Sequence, residues 1–483
     1  MAGKERRIAV GDTYSVLMDS TAGELANIRL LCRGRPDNYQ YMPRFRAGHW
    51  DGYISLMVGS RKVPTGMLRS IHKYYAKRNI SCKYSYKATT RYPKGTFIHR
   101  GDADIETCLQ GVRLRDYQVA AVQEMLSATR GIAKMATNAG KTCVFAALIK
   151  LLGNENALVI VQTKELLYQT QERLASYLDR DVGVIGDGQF DDDDICVATI
   201  QTLMAYAKKS GLRNALQIRF NMNRVLVVDE CHHVANNKTF DTLMDIPGWY
   251  RFGFSGTPIS RDKLNELKLV ACTAEVQYEI TNAELIEAGW SAMPKVYMHT
   301  LPRAEELGLW HAEYQAAYDT LIVGNEPRNE LIAQQARQLY EAGKSVLVIV
   351  NRIAHGDILG MLLADVDAEF VSGNSKMEVR RAALAKLDAG VPCVVIATVI
   401  FDEGVDVPSL DAVVIGAAGK SYKKVLQRVG RGLRKKAKGE NVVEIHDFLD
   451  DDNKHLQAHA TDRLEIYANE GFDVTIRRHK LNS

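Results

Sequence analysis

The sequence predicts an α/β chain: two parallel-sheet domains in tandem, preceded by a small α+β module. Two observations carry that expectation. After Arg100, short apolar runs alternate with longer amphipathic stretches, and this series runs through twice. Before Arg100 the rhythm is missing, and the composition turns basic and aromatic.

In residues 1–100, residues 65–78 read as one good helix among strands and turns. The first series follows, with buried strands over 131–135, 159–161, 195–198, 225–228 and 252–254 and helices over 143–152 and 165–178. The second has strands over 346–350, 370–372, 394–397, 412–415 and 442–445. Between them, residues 282–294 read as a helix ended at Gly289, which places a linker near 285–300. The expected domains are therefore a basic, Tyr-rich module over 1–100, parallel-sheet domains over 101–290 and 291–450, and a helical tail over 451–483.

Composition narrows the class. A chain of 483 residues, 46% hydrophobic and 25% charged, is long enough for about three domains with ordinary cores. No apolar run approaches the roughly 20 residues that span a bilayer, and the first ten residues lack a secretory apolar stretch. A soluble, cytoplasmic protein is expected. The eight cysteines stand singly, without a CxxC pair, and read as reduced small hydrophobes rather than zinc ligands.

The net charge of +4 conceals an asymmetry. Residues 1–100 carry 19 Lys and Arg against 6 Asp and Glu, a charge of +13, and the remainder is −9. A basic head suits a polyanion, because each neutralised phosphate releases counterions. Nine of the 21 tyrosines lie in the same segment, many interleaved with basic residues, as in Tyr39-Gln40-Tyr41, Lys73-Tyr74-Tyr75 and Lys83-Tyr84-Ser85-Tyr86-Lys87. Aromatic faces can stack on unpaired bases while cations follow the backbone. The plainer alternative makes the same aromatics core residues and the charges a solvated face.

The strongest local pattern is Ala136-Thr137-Asn138-Ala139-Gly140-Lys141-Thr142, set between an apolar strand and a helix start. Backbone N–H groups from Thr137 to Gly140 and the helix dipole can cradle phosphates there. Lys141 would neutralise the terminal phosphates, and the Thr142 hydroxyl would hold Mg²⁺. Asn138 stands where glycine is common, and asparagine tolerates left-handed backbone. Asp229, 88 residues after Lys141, ends an apolar strand and is followed by Glu230-Cys231-His232. Asp229 can hold the metal and Glu230 can polarise a water that attacks the γ-phosphate.

These motifs resemble those of superfamily 2 helicases of the DExH type, over residues 110 to about 450, with the box Asp229-Glu230-Cys231-His232. The resemblance implies two RecA-like domains, ATP and Mg²⁺. Leu114-Arg115-Asp116-Tyr117-Gln118 resembles the adenine-reading Q motif, with Arg115 on the base and Gln118 at its edge. Ser255-Gly256-Thr257-Pro258 resembles motif III, which implies coupling through Ser255, Thr257 and His232. Thr163, Lys164, Thr199 and Gln201 fall in segments that resemble those with which the family's first lobe grips the nucleic-acid backbone.

The second lobe resembles the family in the same order. Asn351, Arg352, Ser372 and Thr398 fall at strand ends that would face the nucleic acid. Asp402-Glu403-Gly404-Val405-Asp406 resembles motif V, with Gly404 and Asp406 near the nucleotide. Gln427-Arg428-Val429-Gly430-Arg431-Gly432-Leu433-Arg434 resembles motif VI, which makes Gln427 a coupling residue and Arg431 and Arg434 arginine fingers.

Within the superfamily, the small basic head and compact lobes resemble the phage UvsW-like branch-migration helicases, and residues 45–54 fit such a head. The resemblance implies an ATP-dependent DNA helicase, monomeric, acting on forks, Holliday junctions and R-loops, including RNA–DNA hybrid, with little sequence specificity. It also implies host cytoplasm for a phage-encoded chain. An ATP-dependent RNA helicase and the translocating subunit of a restriction or defence complex are the alternatives.

Overall fold

A computed structural model describes residues 5–86, 101–136, 139–153, 156–208, 210–256, 262–302, 308–398, 410–418, 441–469 and 471–479. They form two compact units, Met1–Ile280 and Thr281–Ser483. No described helix is long and apolar enough to cross a membrane.

The head is a four-stranded sheet in the order Lys62–Pro64, Tyr14–Leu17, Glu5–Val10, Ser81–Tyr86. Only the last pair is parallel. The expected helix over 65–78 is a 3-10 turn, Thr65–Met67, running into the helix Leu68–Ala76. A second helix, Ala22–Leu31, begins at a capping box between Thr21 and Glu24. Ile8, Leu17, Ile28, Ile71 and Tyr75 close the core between them.

The head belongs to the first unit and sits flush on its helix Lys263–Thr273. Two glycines permit that approach. A Cβ on Gly34 would lie 2.9 Å from the Leu264 Cα, and one on Gly66 would lie 2.1 Å from the Val270 carbonyl oxygen. Asp262 joins the two parts through one carboxylate. Its Oδ1 caps the helix by accepting from Leu264 N at 2.7 Å, and its Oδ2 accepts from Asp37 N at 3.2 Å.

The rest of the unit is built on an eight-stranded sheet. Its order is Gln189–Phe190, Gly183–Gly186, Ile195–Thr199, Ala157–Val161, Val225–Asp229, Tyr250–Ser255, Arg130–Met135, Val276–Ile280. All pairs are parallel except the first. Every residue of Ala157–Val161 and Ile195–Thr199 is buried, as a sheet covered on both faces requires.

The second unit carries a seven-stranded, wholly parallel sheet. Its order is Ala368–Val371, Cys393–Thr398, Ser345–Val350, Ala412–Ile415, Val442–Phe448, Met293–Thr300, Asp473–Arg478. Two expectations change here. Met293–Thr300, placed by the sequence in the linker, is a strand paired on both sides. The tail is also more than a helix: after Lys454–Asn469 it returns as the edge strand Asp473–Arg478. Arg463 and Tyr467 anchor that helix on the buried Asp447 carboxylate, each at 2.9 Å.

Candidate nucleotide-binding site

Parallel strands deliver their C-terminal ends to one edge, so the residues after Met135, Asp229 and Ser255 gather there. The strand Arg130–Met135 leads through Ala136 to the helix Lys141–Leu151. Gly140 caps that helix in the left-handed region, at φ 72°. A Cβ there would stand 2.3 Å from Gln118 Nε2. Gln118 is buried and is committed to protein at both ends of its amide. Its Nε2 donates to the Ala139 carbonyl and its Oε1 accepts from Arg115 N, both at 2.9 Å. The residue expected at the adenine edge thus holds the Ala139 carbonyl, directly before the helix cap Gly140. Arg115, half-buried, donates to the Tyr117 hydroxyl at 2.9 Å.

The strand Val225–Asp229 ends in the two carboxylates. Glu230 takes φ 46° and ψ 53°, left-handed for a residue with a side chain, and its N–H donates to Asp229 Oδ1 at 3.0 Å. Backbone of this kind costs about 1–3 kcal/mol and persists where the surroundings over-determine it. The turn sends the Glu230 carboxylate toward the phosphate loop, where Lys141 Nζ donates to its Oε1 at 2.5 Å. Burial opposes the charge on Glu230, but Lys141 and His232 outweigh it and hold the carboxyl well below the ordinary range.

The second oxygen of Glu230 completes a ring of contacts. Ser255 Oγ donates to Glu230 Oε2 at 3.4 Å, and His232 Nδ1 lies 3.0 Å from that hydroxyl and 3.4 Å from the carboxylate. Lys141, Glu230, His232 and Ser255, the residues expected as phosphate-loop lysine, box acid, box histidine and coupling serine, are therefore directly connected. Thr142 is half-buried in the first turn of the helix. Thr137, Asn138, Thr257, Gly404, Asp406, Gln427, Arg431 and Arg434 lie outside the described residues.

The expected nucleic-acid contacts occupy the C-terminal strand ends of each sheet. Thr163 caps the helix Lys164–Leu178, accepting from Leu166 N at 3.3 Å. Lys164 is exposed and pairs with Asp187, and Gln201 is exposed. Thr199 differs from expectation. It is 4% exposed, and its hydroxyl donates to Thr202 Oγ1 at 2.8 Å instead of reaching solvent. In the second sheet Thr398 pairs with Val350 and Ala397 with Val371, which brings Asn351, Ser372 and Thr398 to one edge. Ser372 Oγ accepts from Asn374 N at 3.3 Å, and Arg352 is exposed with Nε 3.9 Å from Asp319 Oδ1.

In the head, the aromatics divide. Tyr74 and Tyr75 are core, so for them the plainer alternative holds. Arg33 and Arg35 cover the ring of Tyr53 at 4.1 and 4.3 Å, and Tyr41 stands 62% exposed. Sequence reasoning passed over the Asp262 contact and the link from Tyr278 Oη to the Tyr117 carbonyl at 2.8 Å. Asp262 had a visible mark, an acid just before a helical run; the Tyr278 link had none.

Three family models match the chain. They describe the N-terminal part of the DNA helicase UvsW over residues 12–85, the res subunit of type III restriction enzymes over 111–260, and the helicase conserved C-terminal domain over 329–436. The ATP-dependent DNA helicase uvsW of Enterobacteria phage T4 is 27% identical, over 96% of this chain and 98% of its own length. The DNA 3'-5' translocase XPB2 of Sulfurisphaera tokodaii is 28% identical over 69% of this chain and 81% of its own. A solved fragment of a putative HsdR subunit of a type I restriction enzyme from Vibrio vulnificus shares the fold at TM-score 0.56 and 17% identity. That likeness covers 79% of this chain and 72% of the fragment. The two parallel sheets are RecA-like, and over nearly its whole length the chain is similar to the ATP-dependent DNA helicase UvsW of phage.

Proposed function

We propose that the protein is an ATP-driven DNA translocase that unwinds or branch-migrates forked, Holliday-junction and R-loop DNA during recombination, replication and repair. The observation that carries the reading is the ring of Lys141, Glu230, His232 and Ser255 at the sheet edge, in a chain whose head matches that of UvsW.

The ring suggests how hydrolysis is held in check. While Lys141 and Glu230 neutralise each other, the base is occupied. A γ-phosphate competes for the ammonium, and once Lys141 turns to it, Glu230 is free to take a proton from water. His232 and Ser255 then hold the carboxylate in position and carry its state toward the nucleic-acid edge. Thr142 and Asp229 offer hard oxygen donors in small number, which suits a Mg²⁺ that keeps most of its waters and neutralises developing phosphate charge. Arg115 and Gln118 set the adenine side, the second through its brace under Ala139. Gly404, Asp406 and Gln427 would serve the site from the second lobe, with Arg431 and Arg434 supplying further positive charge. Thr163, Lys164, Gln201, Asn351, Arg352, Ser372 and Thr398 would track the sugar–phosphate backbone, which gives grip without sequence readout.

The match of residues 111–260 to a restriction subunit favours one alternative, a motor that serves a larger complex. Activity without a partner separates the two. The test is ATP hydrolysis and strand displacement by the purified chain on linear, forked, four-way and RNA–DNA hybrid substrates. We expect stimulation by DNA and remodelling of forked and four-way substrates. Stimulation by RNA alone, or no activity until a partner is added, would overturn the reading.

A further inference from the structure

The first unit holds another cleft, at the end of the sheet opposite the phosphate loop. Its walls come from both the head and the sheet: Arg69 and His72, Tyr84 and Tyr86, Arg130 and Trp249. Its volume is about 460 Å³, within the span of small-ligand sites. Arg130 opens the strand whose far end becomes the phosphate loop, and Trp249 precedes the strand whose far end is Ser255. Strands of six residues rise roughly 20 Å, so the cleft and the ATP site lie at opposite ends of the same two strands.

The lining is aromatic and cationic together. Tyr86, 40% exposed, meets Trp249 edge to face, with centroids 5.5 Å apart. Arg130 is 9% exposed, and its guanidinium donates to two carbonyls, those of Asp12 at 3.0 Å and Trp249 at 2.9 Å. No carboxylate bonds it among the described residues, although the Asp12 charge offsets part of its own. At the rim, Arg69 and Lys73 share a single carboxylate, Glu275, each at 3.5 Å, which leaves positive charge in excess. His72 Nδ1 lies 2.8 Å from the Tyr84 hydroxyl, which fixes both side chains at the mouth.

A planar apolar face beside surplus positive charge matches a base and its phosphate. We propose that the cleft takes one unpaired nucleotide of single-stranded DNA, its base against Tyr86 and Trp249 and its phosphate against Arg69 and His72. The inference rests on the reading of the protein as a DNA motor. The charge of +13 on residues 1–100 favours a strand over a free mononucleotide, because it rewards many phosphates at once.

The experiment uses the full chain and a single-stranded oligonucleotide carrying 5-iodouracil, photo-crosslinked and mapped by peptide. Crosslinks are expected at Tyr86 or Trp249. Tyr86→Ala and Arg69→Ala should each weaken single-strand binding about tenfold, the loss of one stacked base or more. Hydrolysis of ATP without DNA should stay unchanged in both. Thymidine monophosphate in hundredfold excess should leave the crosslink in place. Its displacement by the free nucleotide would overturn the assignment to a DNA strand. Crosslinks mapping only elsewhere, or wild-type affinity in Tyr86→Ala, would overturn the cleft while leaving the motor reading intact. Failure of DNA to stimulate the wild-type ATPase would overturn both.

Discussion

The ammonium of Lys141 lies 2.5 Å from Glu230 Oε1, and each side chain is 14% exposed. The phosphate-loop cation and the box acid thus form a partly buried ion pair. Removing one member leaves the other charge uncompensated, at a cost of about 3–5 kcal/mol for buried pairs. Lys141→Ala and Glu230→Gln should both abolish DNA-stimulated ATP hydrolysis. Lys141→Ala should also lower the denaturation midpoint of the first unit, and Lys141→Met with Glu230→Gln should recover part of it. Steady-state turnover and urea melts check this. Turnover in either single variant would remove the mechanism.

Arg431 sits in the segment resembling motif VI. An arginine that meets charge only as the γ-phosphate leaves should matter little for binding. Arg431→Ala should bind a fluorescent ATP analogue as the wild type does and hydrolyse ATP at least ~10³-fold more slowly. An unchanged rate would place the finger elsewhere.

Gly66 touches the last turns of the helix Lys263–Thr273, where a Cβ would come 2.1 Å from one carbonyl and 2.8 Å from the next. Backbone cannot yield as a flexible side chain can, so Gly66→Ala should push the head off its seat. A stability loss of about 1–3 kcal/mol is expected, the range for overpacking. Chemical denaturation measures it, and a midpoint equal to that of the wild type would mean the seat is loose.

His299 and His355 should make the second unit sensitive to acid. Burial, then the neighbouring His446, pushes His299 down to about 3, and burial does the same for His355. His299 is joined to His446 at 2.9 Å and His479 at 2.7 Å, with Arg477 close by and Glu444 beyond His446. His355 Nε2 meets Asn329 Oδ1 at 2.8 Å. Both histidines stay neutral in the folded chain where the unfolded chain has begun to take protons. Stability should therefore fall as pH drops below about 6.5, by roughly 1.4 kcal/mol per pH unit for each histidine. Melts of the wild type and His355→Gln between pH 7.5 and pH 5.5 check this, and the variant should show the shallower slope. Parallel slopes would sink the assignment.

How much of this was legible in the sequence varies by element. The strands buried on both faces announced themselves as unbroken apolar runs, as in Ala157–Val161 and Ser345–Val350. Apart from the short buried strand Gly183–Gly186, whose two glycines break the apolar run, the main strands that escaped have mixed burial. Val276–Ile280 and Asp473–Arg478 are edge strands with exposed positions, and Met293–Thr300 mixes exposed, half-buried and buried residues. The helix Ala22–Leu31 was marked only by Thr21 and Glu24, since it leaves Leu30 and Leu31 exposed. Of the site, Lys141, Asp229 and Glu230 were legible because each chemistry requires a residue type at a strand or helix end. The brace of Gln118 under Ala139 and the inward turn of Thr199 were not, because both depend on contacts distant in sequence or on local rotamer choice.

The bond between Asp262 and the Asp37 backbone, with Gly34 pressed on Leu264, has a consequence for anyone recombining parts of such motors. The head lacks an autonomous border. Its landing surface is the helix Lys263–Thr273, nearly two hundred residues further along the chain than Ser81–Tyr86. A head transplanted from a relative would therefore have to bring that distant helix with it, and chimeras cut near residue 100 would join two surfaces never shaped for each other.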